Sequence, residues 1–232
     1  MRWLRWVVYS NVYVAGAAAA MTGATWGVLT GFEAGVCGVG WVMALVFFGT
    51  VAVYAADRLF GTPAGDAERG VWVAERRGVL WGLVVLGGLG AAVCGVMLPG
   101  VVWWVLGPAA VVCGAYCLPV LPGRWVGRQG GVRLAEVGGL RLPVVVLVWS
   151  GVTAGVPIVM VAAGEMVQVG GVPAWWWGVV LERVLFLVGI TLPFEVRDLE
   201  VDRSAGLRTW AGRLGLAGSR WVSVGVLGGL AV

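Results

Sequence analysis

The stretch GVLWGLVVLGGLGAAVCGVMLPGVVWWVLGPAAVVCGAYCLPVLPG, from Gly78 to Gly123, holds no charged residue. Pro99-Gly100 divides it into two apolar runs. Each is near the roughly 20 residues that carry a helix across about 30 Å of hydrocarbon. Outward from this pair, residues 6–32, 34–56 and 142–164 are also free of charge. A further apolar run, Val172 to Phe194, is interrupted only by Glu182-Arg183. The pattern predicts an all-α, polytopic transmembrane helical bundle with six full spans, one domain over residues 1–232. Past Arg220 only a short uncharged tail remains, so the chain is expected to stop inside a truncated seventh helix.

Composition agrees. Of 232 residues, 60% are hydrophobic and 12% charged, with a mean hydropathy of +0.93. Soluble domains run nearer a quarter charged. A soluble globular protein, a disordered chain and a nucleic-acid-binding domain are thereby excluded, and the expected surroundings are a lipid bilayer. Every basic residue is arginine, and there is no histidine. A histidine-based acid–base pair, a catalytic triad and a histidine-ligated metal are therefore impossible, and any metal must be held by carboxylates. Cys37, Cys94, Cys113 and Cys117 all lie in apolar runs and form no C-x-x-C pair, which reads as small buried packing residues. Met1-Arg2-Trp3-Leu4-Arg5 leads into an apolar run without a convincing cleavage site, so a first transmembrane helix is expected and not a removed signal peptide.

The arginines set the orientation. Arg2 and Arg5 precede the first span. Arg58, Arg69, Arg76 and Arg77 lie between the second and third, and Arg124, Arg128, Arg133 and Arg141 between the fourth and fifth. Arg197, Arg203, Arg208, Arg213 and Arg220 follow the sixth. The alternate connections carry none, and only Arg183 stands apart. The positive-inside rule places the N-terminus and both acidic loops in the cytoplasm, in a multi-pass protein of the cell membrane. In a cysteine-free background, cysteines introduced at Gly65 and Ser204 are expected to be labelled from the cytoplasmic side. Labelling from opposite sides would refute this topology.

The 40 glycines suit close helix approach in lipid. Gly16, Ala20 and Gly23, or Gly87 and Ala91, are placed for it. No G-x-x-x-x-G-K-[ST] phosphate loop occurs. Trp3, Trp6 and Trp175 to Trp177 suit the membrane interfaces.

Acidic residues are scarce, so their grouping is informative. Glu195, Asp198, Glu200 and Asp202 cluster where the sixth span leaves the membrane. If the helix continues, Asp198 and Asp202 are i and i+4 and share a face. Two carboxylates so spaced can each give an oxygen to Mg²⁺, which keeps waters and bridges to phosphate oxygens. Arg197, Arg203 and Arg208 stand close by in sequence to hold those phosphates. A solvated helix end with internal salt bridges is the competing reading. The other acidic loop runs from Tyr54 through Asp57 and Arg58 to Asp66, Glu68 and Arg69, with Gly61, Pro63 and Gly65 breaking the helix between Asp57 and Asp66. A plain interfacial loop competes there.

The run Pro193 to Thr209 resembles the second aspartate motif of the UbiA-type membrane prenyltransferases, D-x-x-x-D-x-x-x-G-x-x-T. Asp198, Asp202, Gly206 and Thr209 fill every fixed position. Leu134 to Pro157, with Arg141, Trp149-Ser150, Thr153 and Pro157, is similar to the fifth-helix region of a bacterial branch. Tyr54 to Arg58 resembles the end of the second helix. The matches spread over residues 54–215. The chain departs from the first motif, N-x-x-x-D-x-x-x-D: with Asp57 as its central aspartate, Val53 and Gly61 stand at the other fixed positions. The family's typical nine helices are also not all present.

The resemblance implies a Mg²⁺-dependent enzyme that transfers a prenyl chain from an isoprenoid diphosphate to a hydrophobic acceptor, aromatic, porphyrin-type or lipid. It implies Asp57, Asp198 and Asp202 as catalytic metal ligands, with Asp66 as a substitute ligand. Arg58, Arg69, Arg141 and Arg208 would bind the diphosphate, in one cavity open to the cytoplasm. For each arginine, a topology signal or a lipid headgroup contact is the alternative. Two rivals stand beside the enzyme. One is a non-catalytic relative acting in lipid binding or assembly. The other is a small cation-coupled transporter, which would place ionisable groups near the midplane of several helices, where only Glu182-Arg183 come close. Asn11 and Glu182-Arg183 are otherwise expected to make interhelical hydrogen bonds or to snorkel.

Overall fold

The computed structural model describes residues 11–31, 36–61, 67–127, 129–164, 173–204 and 206–230. In hydrocarbon every backbone N–H and C=O must be satisfied within its own segment, so apolar runs rich in Val and Gly become helices despite modest intrinsic propensity. Along the chain these are α1 (Val12–Thr30), α2 (Val36–Phe60), α3 (Ala67–Glu75), α4 (Arg77–Val96) and α5 (Trp103–Cys117). After α5 come the two-residue strands β1 (Leu121–Pro122) and β2 (Gly131–Val132), paired antiparallel. Then follow α6 (Arg141–Ser150), α7 (Val156–Ala162), α8 (Trp176–Arg197), α9 (Leu199–Ser204) and α10 (Trp210–Leu230). The small strand pair is a minor exception to the all-α expectation. The chain divides into two compact units, residues 1–110 with 151–176, and 111–150 with 177–232.

In the first unit α2 and α4 are the main pair. Phe60 meets Trp81 edge-on at 5.8 Å, Phe48 faces Gly87 and Gly90, and Leu45 approaches Gly95. One number falls as the other rises, so the helices run antiparallel. A Cβ on Gly87 would stand 2.8 Å from the Phe48 carbonyl oxygen and 3.0 Å from the Ala52 nitrogen. Glycine is what lets the two backbones approach. Gly23 similarly accommodates Met43 of α2, whereas a Cβ on Gly16 would meet nothing and Ala20 is exposed, so that part of the expected α1 stripe is not a contact. Gly87→Val is expected to cost about 1–3 kcal/mol by overpacking against backbone that cannot yield. Gly88→Val, which points into open space, is expected to leave the melting temperature in detergent unchanged.

Thr22, Thr25 and Thr30 are buried in α1 and donate to carbonyls four residues back at 2.8–3.0 Å, so their hydroxyls are satisfied without leaving the helix. Asn11 takes a left-handed conformation (φ 57°) at the start of α1.

Among the described residues, five helices are long and apolar enough to cross a membrane: Val12–Thr30, Val39–Phe60, Arg77–Val96, Gly100–Cys117 and Arg141–Ala162. The chain is thus an integral-membrane protein by length and composition of its helices. The expected sixth span is α8, 22 residues long and carrying Glu182 and Arg183, and it is not among the five. The expected seventh is α10, broken at Gly215 (φ 71°).

The fifth run is not a single α-helix. Between α6 and α7, Gly151–Gly155 form a π-helical turn. Pro157 explains it: proline has no N–H to give the carbonyl of Thr153 four residues back, and its ring crowds that carbonyl. The backbone widens by one residue, helped by Gly151 and Gly155.

Candidate functional site

In the second unit α8 ends at Arg197 and α9 begins at Leu199, yet the hydrogen-bond ladder does not lapse. The Asp198 N–H donates to the Phe194 carbonyl at 3.2 Å, and the Asp202 N–H donates to the Asp198 carbonyl at 2.9 Å. Asp198 and Asp202 therefore keep the i, i+4 relation expected from the sequence. Like charges so placed repel. Arg141, the first residue of α6, stands between them: Nη2 lies 3.6 Å from Asp198 Oδ2, and Nη1 lies 3.8 Å from Asp202 Oδ2. Both distances exceed ordinary N–H···O lengths, so the guanidinium neutralises the pair without saturating its lone pairs. The Tyr116 hydroxyl at the end of α5 accepts from Arg141, and Arg197 Nε donates to Asp198 Oδ1 at 2.9 Å.

The remaining fixed positions of the motif are backbone devices. Gly206 adopts φ 72°, with its N–H on the Arg203 carbonyl (3.0 Å) and the Leu207 N–H on the Asp202 carbonyl (2.8 Å). That is a Schellman stop to α9, in which Asp202 lies in the closing turn. Thr209, buried, caps α10: its Oγ1 accepts from the Gly212 N–H at 3.2 Å and its carbonyl from the Arg213 N–H at 3.2 Å. The spacing thus places two carboxylates on one face, ends their helix and starts the next.

Arg141 is brought there by the loop before α6. A Cβ on Gly138 would lie 2.8 Å from the Arg208 nitrogen, and Gly139 (φ 80°) accepts from the Trp210 indole N–H at 2.8 Å. Arg208, expected to bind phosphate, contributes its backbone to this contact, and its side chain is exposed. Asp57 and Arg58 are half-buried in the last turn of α2, in the first unit. Asp66 and the side chain of Arg69 lie outside the described residues.

Glu195 and Tyr116 were not singled out as site residues by sequence. Glu195 is buried at 3% exposure, and its Oε2 accepts from the Ala211 N–H in the first turn of α10 at 3.2 Å. Its place three residues before Asp198 was the available signal; for Tyr116, on another helix, there was none. Burial pushes the Asp202 carboxyl above its ordinary range; Arg141 pulls back and Asp198 adds to the rise.

Protein-family models, curated proteins and solved structures were all compared with this chain, and none matches it.

Mg²⁺ suits these donors. Asp202 Oδ2 is buried with no hydrogen-bond partner, and the donors are hard carboxylate oxygens. Among the described residues no three acidic or thiol side chains gather closely enough to hold a metal. A pair of carboxylates completed by waters and phosphate oxygens is the arrangement Mg²⁺ commonly accepts.

Proposed function

We propose that the protein is an integral-membrane prenyltransferase, moving a prenyl chain from an isoprenoid diphosphate to an aromatic, porphyrin-type or lipid acceptor. The observation that carries this reading is Arg141 bridging Asp198 and Asp202 at the start of a membrane helix. When bound at Asp198 and Asp202, Mg²⁺ would offset the negative charge that grows on the departing diphosphate. Arg141 has one guanidinium face for the carboxylates and, at about a third exposed, donors left for a phosphate oxygen. The helices, with their many exposed Val, Leu and Trp side chains, suit a prenyl tail drawn from lipid. Aromatic faces would stabilise the allylic cation. For Asp57, Asp66, Arg58 and Arg69 only the resemblance speaks, and the proposal does not lean on them.

The experiment is diphosphate release from isoprenoid diphosphates of several lengths, with a panel of acceptors, by protein reconstituted in liposomes. Release that needs both Mg²⁺ and an acceptor is expected. No release with any acceptor, while Mg²⁺ still binds, would favour a non-catalytic relative, the reading that Val53 and Gly61 in the first motif support.

A further inference from the structure

Glu195 is the most buried carboxylate of the acidic run and has no part in the chemistry above. It stands three residues before Asp198 and seven before Asp202, on their side of the helix. Oε2 takes the Ala211 N–H, and Oε1 is buried with no hydrogen-bond partner. The amides of the first turn of α10 have no partners within their own helix, and the helix dipole is positive there, so an anion is favoured. The same turn is tied by the Trp210 indole to Gly139, two residues before Arg141. The start of α10 therefore joins the segment that carries the acidic pair to the segment that carries Arg141.

A glutamine could accept the same Ala211 bond at lower desolvation cost; what the carboxylate adds is charge, which burial disfavours and the backbone amides of Trp210 and Ala211 favour. Arg141 and Arg197 bring two positive charges to a group in which Asp198, Asp202 and Glu195 bring three negative ones. The excess is negative, and it lies in a partly buried place where charges are felt more strongly than in water.

We infer that Glu195 is an electrostatic support of the cation site: held by the Ala211 N–H at the start of α10, it supplies, without coordinating, negative charge that Arg141 and Arg197 leave unbalanced. The inference rests on the reading of Asp198 and Asp202 as cation ligands. Residues that orient metal ligands from outside the shell commonly change metal affinity by about 10- to 100-fold when replaced.

The test is Mn²⁺ titration of the purified full chain in detergent, followed by the loss of the free-ion EPR signal and competed with Mg²⁺. Glu195→Gln is expected to keep or raise the wild-type melting temperature and weaken Mn²⁺ about tenfold or more. Glu195→Asp, which keeps the charge, should recover most of the affinity. Thr209→Ala, which loosens α10 without removing charge, should lower the melting temperature and leave Mn²⁺ affinity unchanged. Wild-type affinity in Glu195→Gln, or an equal loss in Thr209→Ala, overturns the inference. If Glu195→Gln does not fold, Glu195→Asp against Thr209→Ala decides: affinity weaker in the aspartate variant overturns it. Wild-type protein that binds no Mn²⁺, or Asp202→Asn that binds it equally well, defeats the cation reading itself and the inference with it.

Discussion

Asp202→Asn should lose Mg²⁺-dependent activity by on the order of 10²–10³-fold while melting at the same temperature as wild type or higher. Under the proposed function the loss follows from removing one of the two charged ligands of a hard cation and, with it, stabilisation of the departing diphosphate. The stability gain follows from burial. Asp202 is 6% exposed, and burial raises its pKa above the ordinary 3.8, so the fold disfavours the ionised form. The sign is the reverse of the usual carboxylate. A raised folded-state pKa means the folded protein holds a proton that the unfolded chain has already released. Stability from this group therefore declines as pH rises from about 3.8 through the raised value. Asparagine has no such penalty. The difference in melting temperature should favour the variant at neutral pH and vanish in acid, which thermal scans across pH will show. A variant less stable than wild type at pH 7 would mean that the pairing with Arg141 outweighs burial.

Arg141→Gln should act in the opposite sense on stability. Breaking a fully buried ion pair by removing one partner costs about 3–5 kcal/mol. Here Arg141 is 35% exposed and Asp198 26%, so solvent screens the loss, and about 2 kcal/mol is the expected cost. What remains is an i, i+4 carboxylate pair with Arg197 on Asp198 alone, which a divalent cation can neutralise. Mg²⁺ should therefore raise the melting temperature of Arg141→Gln more than that of wild type. A variant indifferent to Mg²⁺ would show that the two aspartates do not form a cation site.

Much of this was legible because membrane helices obey coarse rules. Charge-free runs fixed the positions of α1, α2, α4 and α5, since a long apolar run satisfies its backbone groups within its own segment only as a helix. The shared face of Asp198 and Asp202 was legible because helical spacing is geometry. Gly206 and Thr209 could be quoted as motif positions, but their work became plain only with the hydrogen bonds that stop α9 and start α10. The π-helical turn escaped notice because apolar counting cannot weigh the lost N–H of Pro157 against neighbouring packing. Arg208 was read by its charge, whereas its backbone makes the contact with Gly138; a guanidinium and a peptide group look alike in a motif. Glu195 was seen as one more charge at a helix end. Its burial depends on α10 folding back, a contact 16 residues away in sequence.

In the proposed function Arg141, Asp198 and Asp202 act together on a cation and a diphosphate. The most direct measurement is equilibrium binding of a non-hydrolysable isoprenoid thiolodiphosphate to the full chain, with Mg²⁺ and with EDTA. Wild type is predicted to bind only with Mg²⁺, and Asp198→Asn, Asp202→Asn and Arg141→Gln each to weaken that binding. Equal binding in EDTA, or affinity untouched by all three substitutions, would contradict the account.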